Sequence, residues 1–312
     1  MNDKQLAALV ISEVKKAIVG KDDVLIKVLL AILARGHILL EDIPGVGKTT
    51  MALAFSRALG LSYNRVQFTP DVMPSDLTGF SLYNKATGRM EYQPGALLCN
   101  LFLADELNRA TSRTQSALLE AMEEGQITVD GVTHAIPDPF LVIATQNPVG
   151  ASGTQLLPDS QLDRFMLRLS IGYPAAQDEL ELLRRKQKGN PLEDVRQVMD
   201  HQHLARLRGM VDSVYIGDEV LTYILQLVRA TREHPELAQG ASPRAAIALA
   251  AVSRASAFLR GRDFVIPEDV QYIWNNCIAH RLILPAGAAG GSERTAQIAS
   301  EVLRTIRPPR IR

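Results

Sequence analysis

The sequence predicts an α/β domain of three layers, with helices on both faces of a parallel sheet, followed by a smaller all-helical domain. Three features carry this expectation. The apolar runs 37–40, 101–104 and 140–144 are short and each is followed by polar residues, as in strands buried on both faces. Helical patterns separate some of these runs, and alternation of the two element types is the mark of an α/β sandwich. Beyond Gly172-Tyr173-Pro174 the strand signals stop and only helical patterns remain.

In chain order, the first helical pattern covers 22–35. The next, 48–59, stops at Gly60, and that over 111–124 stops at Gly125, since glycine adopts the left-handed geometry that ends a helix. Two hairpins interrupt the alternation. In 126–134, Asp130-Gly131 separates two β-prone arms, a strong two-residue turn signal. The arms 81–83 and 89–92, around 84–88, give a weaker one. The second half reads as helices over 177–188, 202–214, 218–233, 243–260, 267–279 and about 293–306. Ser242-Pro243 opens the fourth of these with an N-cap and a first-turn proline. The Ala/Gly-rich stretch 285–291 reads as a loop. The expected domains are therefore 1–173 and 174–312.

Lys+Arg and Asp+Glu both number 34, so the chain lacks the basic surplus expected of a sequence-independent nucleic-acid binder. Cys99 and Cys277, alone and far apart, make neither a disulfide framework nor a metal knuckle and fit a reducing compartment. The longest apolar run, 24–34, contains Lys27 and falls short of the ~20 residues that span a bilayer. No secretory apolar core follows the N-terminus. The expectation is a soluble cytoplasmic protein.

The sharpest motif is Glu41-Asp-Ile-Pro-Gly-Val-Gly-Lys-Thr-Thr50, which follows a strand and opens a helix. Gly-Lys-Thr there matches a Walker A phosphate loop. Gly45 and Gly47 let backbone N–H groups approach phosphate oxygens, and the helix opening near Lys48 turns its positive end to the same anion. Lys48 can neutralise the β/γ-phosphates, and the Thr49 hydroxyl can ligate Mg²⁺. The first glycine of the full pattern falls at Asp42; aspartate tolerates left-handed backbone, so the turn is expected to survive. The plainer alternative is a glycine-rich turn with an incidental lysine.

Leu101-Phe-Leu-Ala-Asp-Glu106 is an apolar strand ending in two carboxylates. Asp105 can hold Mg²⁺, and Glu106 can orient and deprotonate an attacking water. A solvated Asp-Glu pair is the alternative; its place after a phosphate loop favours the functional one. The run 140–145 leads to Gln146-Asn147-Pro148, where Asn147 can bond a γ-phosphate or its water, or merely start a turn.

Phosphate loop, Asp-Glu strand and Asn-tipped strand, in this order before a helical domain, resemble the AAA+ ATPases. More closely, Ile43-Pro-Gly-Val-Gly-Lys-Thr49, Gln67-Phe-Thr-Pro-Asp-Val-Met-Pro-Ser-Asp-Leu-Thr-Gly79, Leu103-Ala-Asp-Glu-Leu-Asn-Arg-Ala110, Gln115-Ser-Ala-Leu-Leu-Glu-Ala-Met-Glu-Glu-Gly-Gln126, Ala144-Thr-Gln-Asn-Pro148 and Leu157-Pro-Asp-Ser-Gln-Leu-Asp-Arg-Phe165 resemble the MoxR family over essentially the whole chain. The resemblance implies an AAA+ P-loop αβα core with a helical lid, using ATP and Mg²⁺. It implies that Pro44, Gly45, Val46, Gly47, Lys48, Thr49 and Thr50 hold the nucleotide with Asp105, and that Val19 and Gly20 pack on the adenine. Asn147 resembles sensor 1. Arg164 resembles the arginine finger that reaches a neighbouring subunit, and Arg244 resembles sensor 2. Arg164 beside Asp163 can also be read as a surface ion pair. A cation at the second residue of a helix is out of place without an anion, which favours a phosphate near Arg244 and a lid that closes about 172–174. Arg109 is a further candidate at the subunit interface.

The two hairpins, by the same resemblance, face a ring pore or a client; surface hairpins without a role are the alternative. The implied activity is ATP hydrolysis in a ring, a hexamer, that remodels or matures a client protein, in metal insertion or complex assembly. A separate partner with a von Willebrand factor A domain goes with it. Alternatives on the same core are a nucleic-acid or transcription-activating motor, a magnesium-chelatase-like motor subunit, and a nucleotide-gated scaffold that hardly hydrolyses. The basic tail 304–312 is short for a nucleic-acid tract, and Glu106, Asn147 and Arg164 argue against a scaffold.

Overall fold

The computed structural model describes residues 3–147 and 157–310. Helices α1 (Asp3–Ala17) and α2 (Asp22–Leu33) lead into strand β1 (Ile38–Glu41) and helix α3 (Lys48–Ala58). Next come β2 (Tyr63–Gln67), the short α4 (Pro74–Thr78), and the hairpin β3 (Gly79–Asn84) and β4 (Arg89–Pro94). Strand β5 (Leu101–Asp105), α5 (Ser112–Glu124), the hairpin β6 (Gln126–Val129) and β7 (Val132–Ala135), and β8 (Leu141–Gln146) follow. The described chain resumes into α6 (Asp159–Leu162) and β9 (Leu167–Leu169). Helices α7 (Ala176–Lys188), α8 (His201–Asp212), α9 (Asp218–Arg232), α10 (Pro243–Leu259), α11 (Pro267–Ile278) and α12 (Gly291–Thr305) complete it.

The five-stranded sheet has the order β2-β5-β8-β1-β9, and every neighbouring pair is parallel. Successive side chains of a strand point to opposite faces. Thus Ile38, Leu40, Leu101, Leu103, Leu141 and Ile143 enter one core with α1, α2 and α3. Leu39, Phe102, Ala104, Val142 and Ala144 enter the other, with Leu118, Leu119 and Met122 of α5. Both faces being apolar, the central strands read as continuous apolar runs. Local signals fix the ends. Thr111 Oγ1 accepts from the Thr114 N–H to cap α5, and Gly125, at φ 63°, ends it. Among the described residues, no helix is long and apolar enough to cross a membrane.

Five of the named elements lie where the sequence analysis placed none: α1, β2, the short helices α4 and α6, and β9. β2 is an edge strand reading Tyr-Asn-Arg-Val-Gln, without an apolar run, and β9 has only three residues. The hairpin arms β3 and β4 are also longer than expected.

The helical half shares its apolar core with the sheet domain. The cluster holding α1–α3 runs without a break into Leu204, Leu227, Leu249, Val252, Ile273 and Trp274. α10 packs on α2, and α11 on β9. Arg185 of α7 donates to the Lys15 and Lys16 carbonyls at the end of α1, both at 2.8 Å. A swing of the whole helical half about 172–174 would have to open this core.

Candidate active site

Between β1 and α3 the chain makes the tight loop 42–47. Gly45 and Gly47 have φ of 86° and 95°, where any side chain is strained although there is room for one. Lys48 begins α3 with its side chain nearly buried, and Nζ donates to the Asp42 carbonyl at 2.8 Å. Burial pulls its ammonium below the ordinary lysine range, while Asp42, Asp105 and Glu106 oppose that shift. Asp42 corrects the expectation of left-handed backbone, because its φ is not positive. Its role is that of an acceptor. Oδ1 accepts from Ser170 Oγ at 2.9 Å and from the Gly172 N–H at 3.0 Å, and Oδ2 from the Ile171 N–H at 2.5 Å. The carboxylate thereby straps the loop to the chain leaving β9.

β5 and β8 lie side by side, so their ends meet. The Thr145 hydroxyl donates to Asp105 Oδ1 at 2.7 Å and accepts from the Glu106 N–H at 2.8 Å. Glu106 sits at φ 55°, in the sparsely populated left-handed region that bulky residues avoid, which turns its carboxylate out of the strand line. Arg65 of β2 pairs with Asp105 Oδ2 at 2.7 Å, and Arg109 with Glu106 Oε2 at 2.8 Å. Arg109 thus contacts the carboxylate of its own chain.

A cleft of about 390 Å³ is lined by Pro44, Gly45, Gly47, Lys48, Thr49, Thr50, Arg65, Gln67, Asp105, Glu106 and Asn147. A second, of about 700 Å³, shares Pro44, Gly45, Gly47 and Thr50 with it. Its other walls include Val19, Val46, Tyr173, Leu182 and Leu183, an apolar surface suited to a flat base. Gly20, at φ 70°, is the turn behind Val19; a Cβ there would strike the Asp178 carboxylate. The two clefts adjoin along these shared residues.

The structure therefore assembles Val19, the 44–50 loop, Asp105, Glu106 and Asn147, and leaves Arg164 and Arg244 outside both sets of lining residues. Those two arginines meet each other's partner instead. Arg164 Nη1 lies 3.0 Å from Glu123 Oε2 and donates to the Leu119 carbonyl at 2.7 Å, while Arg244 pairs with Glu123 Oε1. Asp163 does not serve as an ion-pair partner of Arg164; its carboxylate is held by Arg281 and Ser242. The anion facing Arg244 is Glu123. Pro148 lies outside the described residues. Sequence reasoning missed Arg65 and Thr145. Arg65 is two residues before Gln67 on a strand, and period two puts both on one face, but the strand itself carried no apolar signal.

Thr49 and Asp105 supply a hydroxyl and a carboxylate, hard oxygen donors of the kind that bind Mg²⁺ together with phosphates and water. Among the described residues no group of three or more His, Cys, Asp or Glu side chains is placed to hold a metal ion alone.

Residues 37–167 match the profile of the ATPase family associated with various cellular activities (AAA), and 229–302 that of the AAA lid domain. Chaperone MoxR1 of Mycobacterium tuberculosis is 37% identical over 96% of this chain and 82% of its own length. The chain belongs to the MoxR family of AAA+ ATPases. The YeaC protein of Bacillus subtilis is 44% identical over 96% of this chain and 93% of its own. A crystal structure from Cytophaga hutchinsonii covers 99% of this chain and 96% of that one, at 38% identity and a TM-score of 0.91. The AAA+ α/β core with its helical lid is thus shared with relatives of this MoxR type.

Proposed function

We propose that this MoxR-family chain hydrolyses ATP with Mg²⁺ at the joined clefts, as a ring whose neighbouring subunits complete each other's sites. The observation that carries the reading is the separation of parts. Lys48, Thr49, Asp105, Glu106 and Asn147 line one cleft, and Arg164 and Arg244 converge elsewhere on Glu123. A finger that does not reach its own cleft has its use in a neighbour's, which requires a head-to-tail ring, here a hexamer.

Each residue has a physical task. The base packs between Val19 and the α7 leucines. The loop N–H groups and Lys48 bind the phosphates, Lys48 from a pocket whose low dielectric strengthens the attraction. Thr49 and Asp105 would hold Mg²⁺, which neutralises phosphate charge when bound. Thr145 fixes Asp105 and Glu106 relative to each other. Glu106 leaves Arg109 to accept the proton of the attacking water, which Asn147 helps to orient. Arg164 and Arg244 of the adjacent subunit leave Glu123 for the γ-phosphate; Arg244 thereby serves a site other than its own.

Residues 1–173 would carry the phosphate cleft and one wall of the base cleft, and 174–312 the α7 wall of the base cleft and the helix that bears Arg244. The hairpins supply a surface for a client. Phe80, Leu82, Tyr83 and Met90 are exposed apolar side chains on β3–β4, and Tyr92 stacks on His134 at 3.8 Å to brace that hairpin against β6–β7. Remodelling or maturation of client proteins, in metal insertion or complex assembly, with a separate von Willebrand factor A domain partner and a cytoplasmic location, completes the proposal. Nucleotide binding and turnover of Lys48→Ala and Glu106→Gln test it. Lys48→Ala should bind ATP poorly, and Glu106→Gln should bind and retain it. Normal turnover by Glu106→Gln would remove the assigned base.

A further inference from the structure

Arg281, which follows α11, is 6% exposed and makes an unusual set of bonds. Its Nε donates to Asp163 Oδ1 at 2.7 Å, and its Nη2 to the Asp163 and Phe165 carbonyls at 3.2 and 2.8 Å. Its Nη1 donates to the Met166 carbonyl at 3.3 Å and to the Cys277 carbonyl. One guanidinium thus grips the backbone on both sides of Arg164. The second oxygen of Asp163 accepts from Ser242 Oγ at 3.0 Å, and Ser242 is the N-cap of α10, two residues before Arg244. The segment bearing Arg164 and the helix bearing Arg244 are therefore joined through the Arg281–Asp163 ion pair, whose guanidinium is buried and whose carboxylate is 24% exposed. Beyond it, the Arg164 and Arg244 guanidiniums meet on the two oxygens of Glu123.

An ion pair whose guanidinium is buried is a poor device for stability alone, because desolvating that charge offsets much of the attraction. It is a good device for geometry, since a planar fork with five donors fixes several acceptors at once. We infer that Arg281 is a positioning residue: with Asp163 and Ser242 it makes Arg164 and Arg244 one rigid two-arginine clamp for the terminal phosphate of a neighbouring subunit's nucleotide. Glu123 holds the clamp in shape when no phosphate is there. The inference rests on the proposal that Arg164 acts in trans. Arg281 touches no nucleotide itself; it acts through the two arginines, so its loss should move turnover and spare binding.

The test uses the full chain as Arg281→Lys and, independently, as Asp163→Asn. Lysine keeps the charge but cannot reach the carbonyls of 163, 165 and 166 together. Both variants should bind ATP within about twofold of wild type and assemble normally, with turnover reduced on the order of 10²-fold, the cost of a displacement near 1 Å at a reacting centre. Mixing either variant with Glu106→Gln should restore turnover, because a site can take its base from one subunit and an intact clamp from the next. Mixing it with Arg164→Ala should restore none. A purely structural defect would weaken binding and assembly as well and would not sort this way. If Arg281→Lys does not fold, Asp163→Asn decides by the same criteria. Turnover within about threefold of wild type would overturn the inference, as would recovery with Arg164→Ala. If Arg164→Ala itself turns over normally, the trans finger falls and the clamp with it. If Arg164→Ala is inactive while Arg281→Lys is not, only the role of Arg281 falls.

Discussion

Replacing Asp42 with alanine removes the acceptor that holds the phosphate loop to the chain after β9. Three donors lose their partner: Ser170 Oγ, which can turn to another acceptor or to water, the half-buried Gly172 N–H, and the buried Ile171 N–H, which has neither recourse. A buried N–H left unpaired costs about 1–3 kcal/mol, and the half-buried Gly172 N–H less than that, so Asp42→Ala should destabilise by about 1–4 kcal/mol. That is a large part of the 5–15 kcal/mol typical of a folded domain. Asp42→Asn keeps one carbonyl oxygen and should lose about half as much. Urea denaturation followed by circular dichroism reads the difference as a shift in midpoint at unchanged slope. Because Tyr173 and Pro174 line the base cleft directly after the strapped residues, ATP affinity should fall together with stability. A loss below about 1 kcal/mol for Asp42→Ala would show that the strap carries no weight.

Arg244→Ala should leave ATP affinity of its own cleft nearly unchanged and reduce turnover, read by equilibrium binding and phosphate release; a selective loss of ATP over ADP binding in isolated subunits would return Arg244 to its own site. His37 accepts from the Val142 N–H at Nδ1 and donates from Nε2 to the Met122 carbonyl, so its neutral form is the bonded one, and burial pushes its pKa down to about 4. Buried His280 is shifted the same way by burial and by neighbouring Arg281. The unfolded state then binds more protons below the ordinary histidine value. Stability should be full above pH 6.5 and fall toward pH 4, by on the order of 3 kcal/mol for His37 alone. A melting temperature independent of pH over that range would contradict the burial of both rings. Arg109→Ala should leave ATP binding intact and change the rate of turnover, because Glu106 no longer has an ion-pair partner to leave; an unchanged rate of phosphate release would show that the pair has no bearing on the base.

The central strands were legible because both of their faces are apolar, and the second hairpin because Asp130-Gly131 admits few other conformations. β2 was not legible: an edge strand that carries Arg65 and Gln67 into a cleft must break the apolar pattern that announces a strand. The contents of the cleft were readable in Gly47, Lys48, Asp105 and Asn147, since spacing along strand and loop dictates where each falls. What joins them was not. Thr145 reads as one more β-branched strand residue until its hydroxyl is seen bridging Asp105 and Glu106. The unbalanced cation at Arg244 pointed to a phosphate; the partner it has in the structure is Glu123 of α5, which sequence spacing gives no means of placing there. Asp42 was flagged by its departure from the glycine pattern, and only the fold shows that its carboxylate, rather than its backbone freedom, is what the site uses.

The claim on which the account turns is that each site is completed by the next subunit. Arg164→Ala and Glu106→Gln should each be nearly inactive alone, the first losing on the order of 10³–10⁵ in rate. In a random equal mixture, about one interface in four joins an intact base to an intact finger, so the mixture should recover roughly a quarter of wild-type turnover if sites act independently. Verified mixed rings that stay as inactive as their parents at every ratio would contradict the shared site.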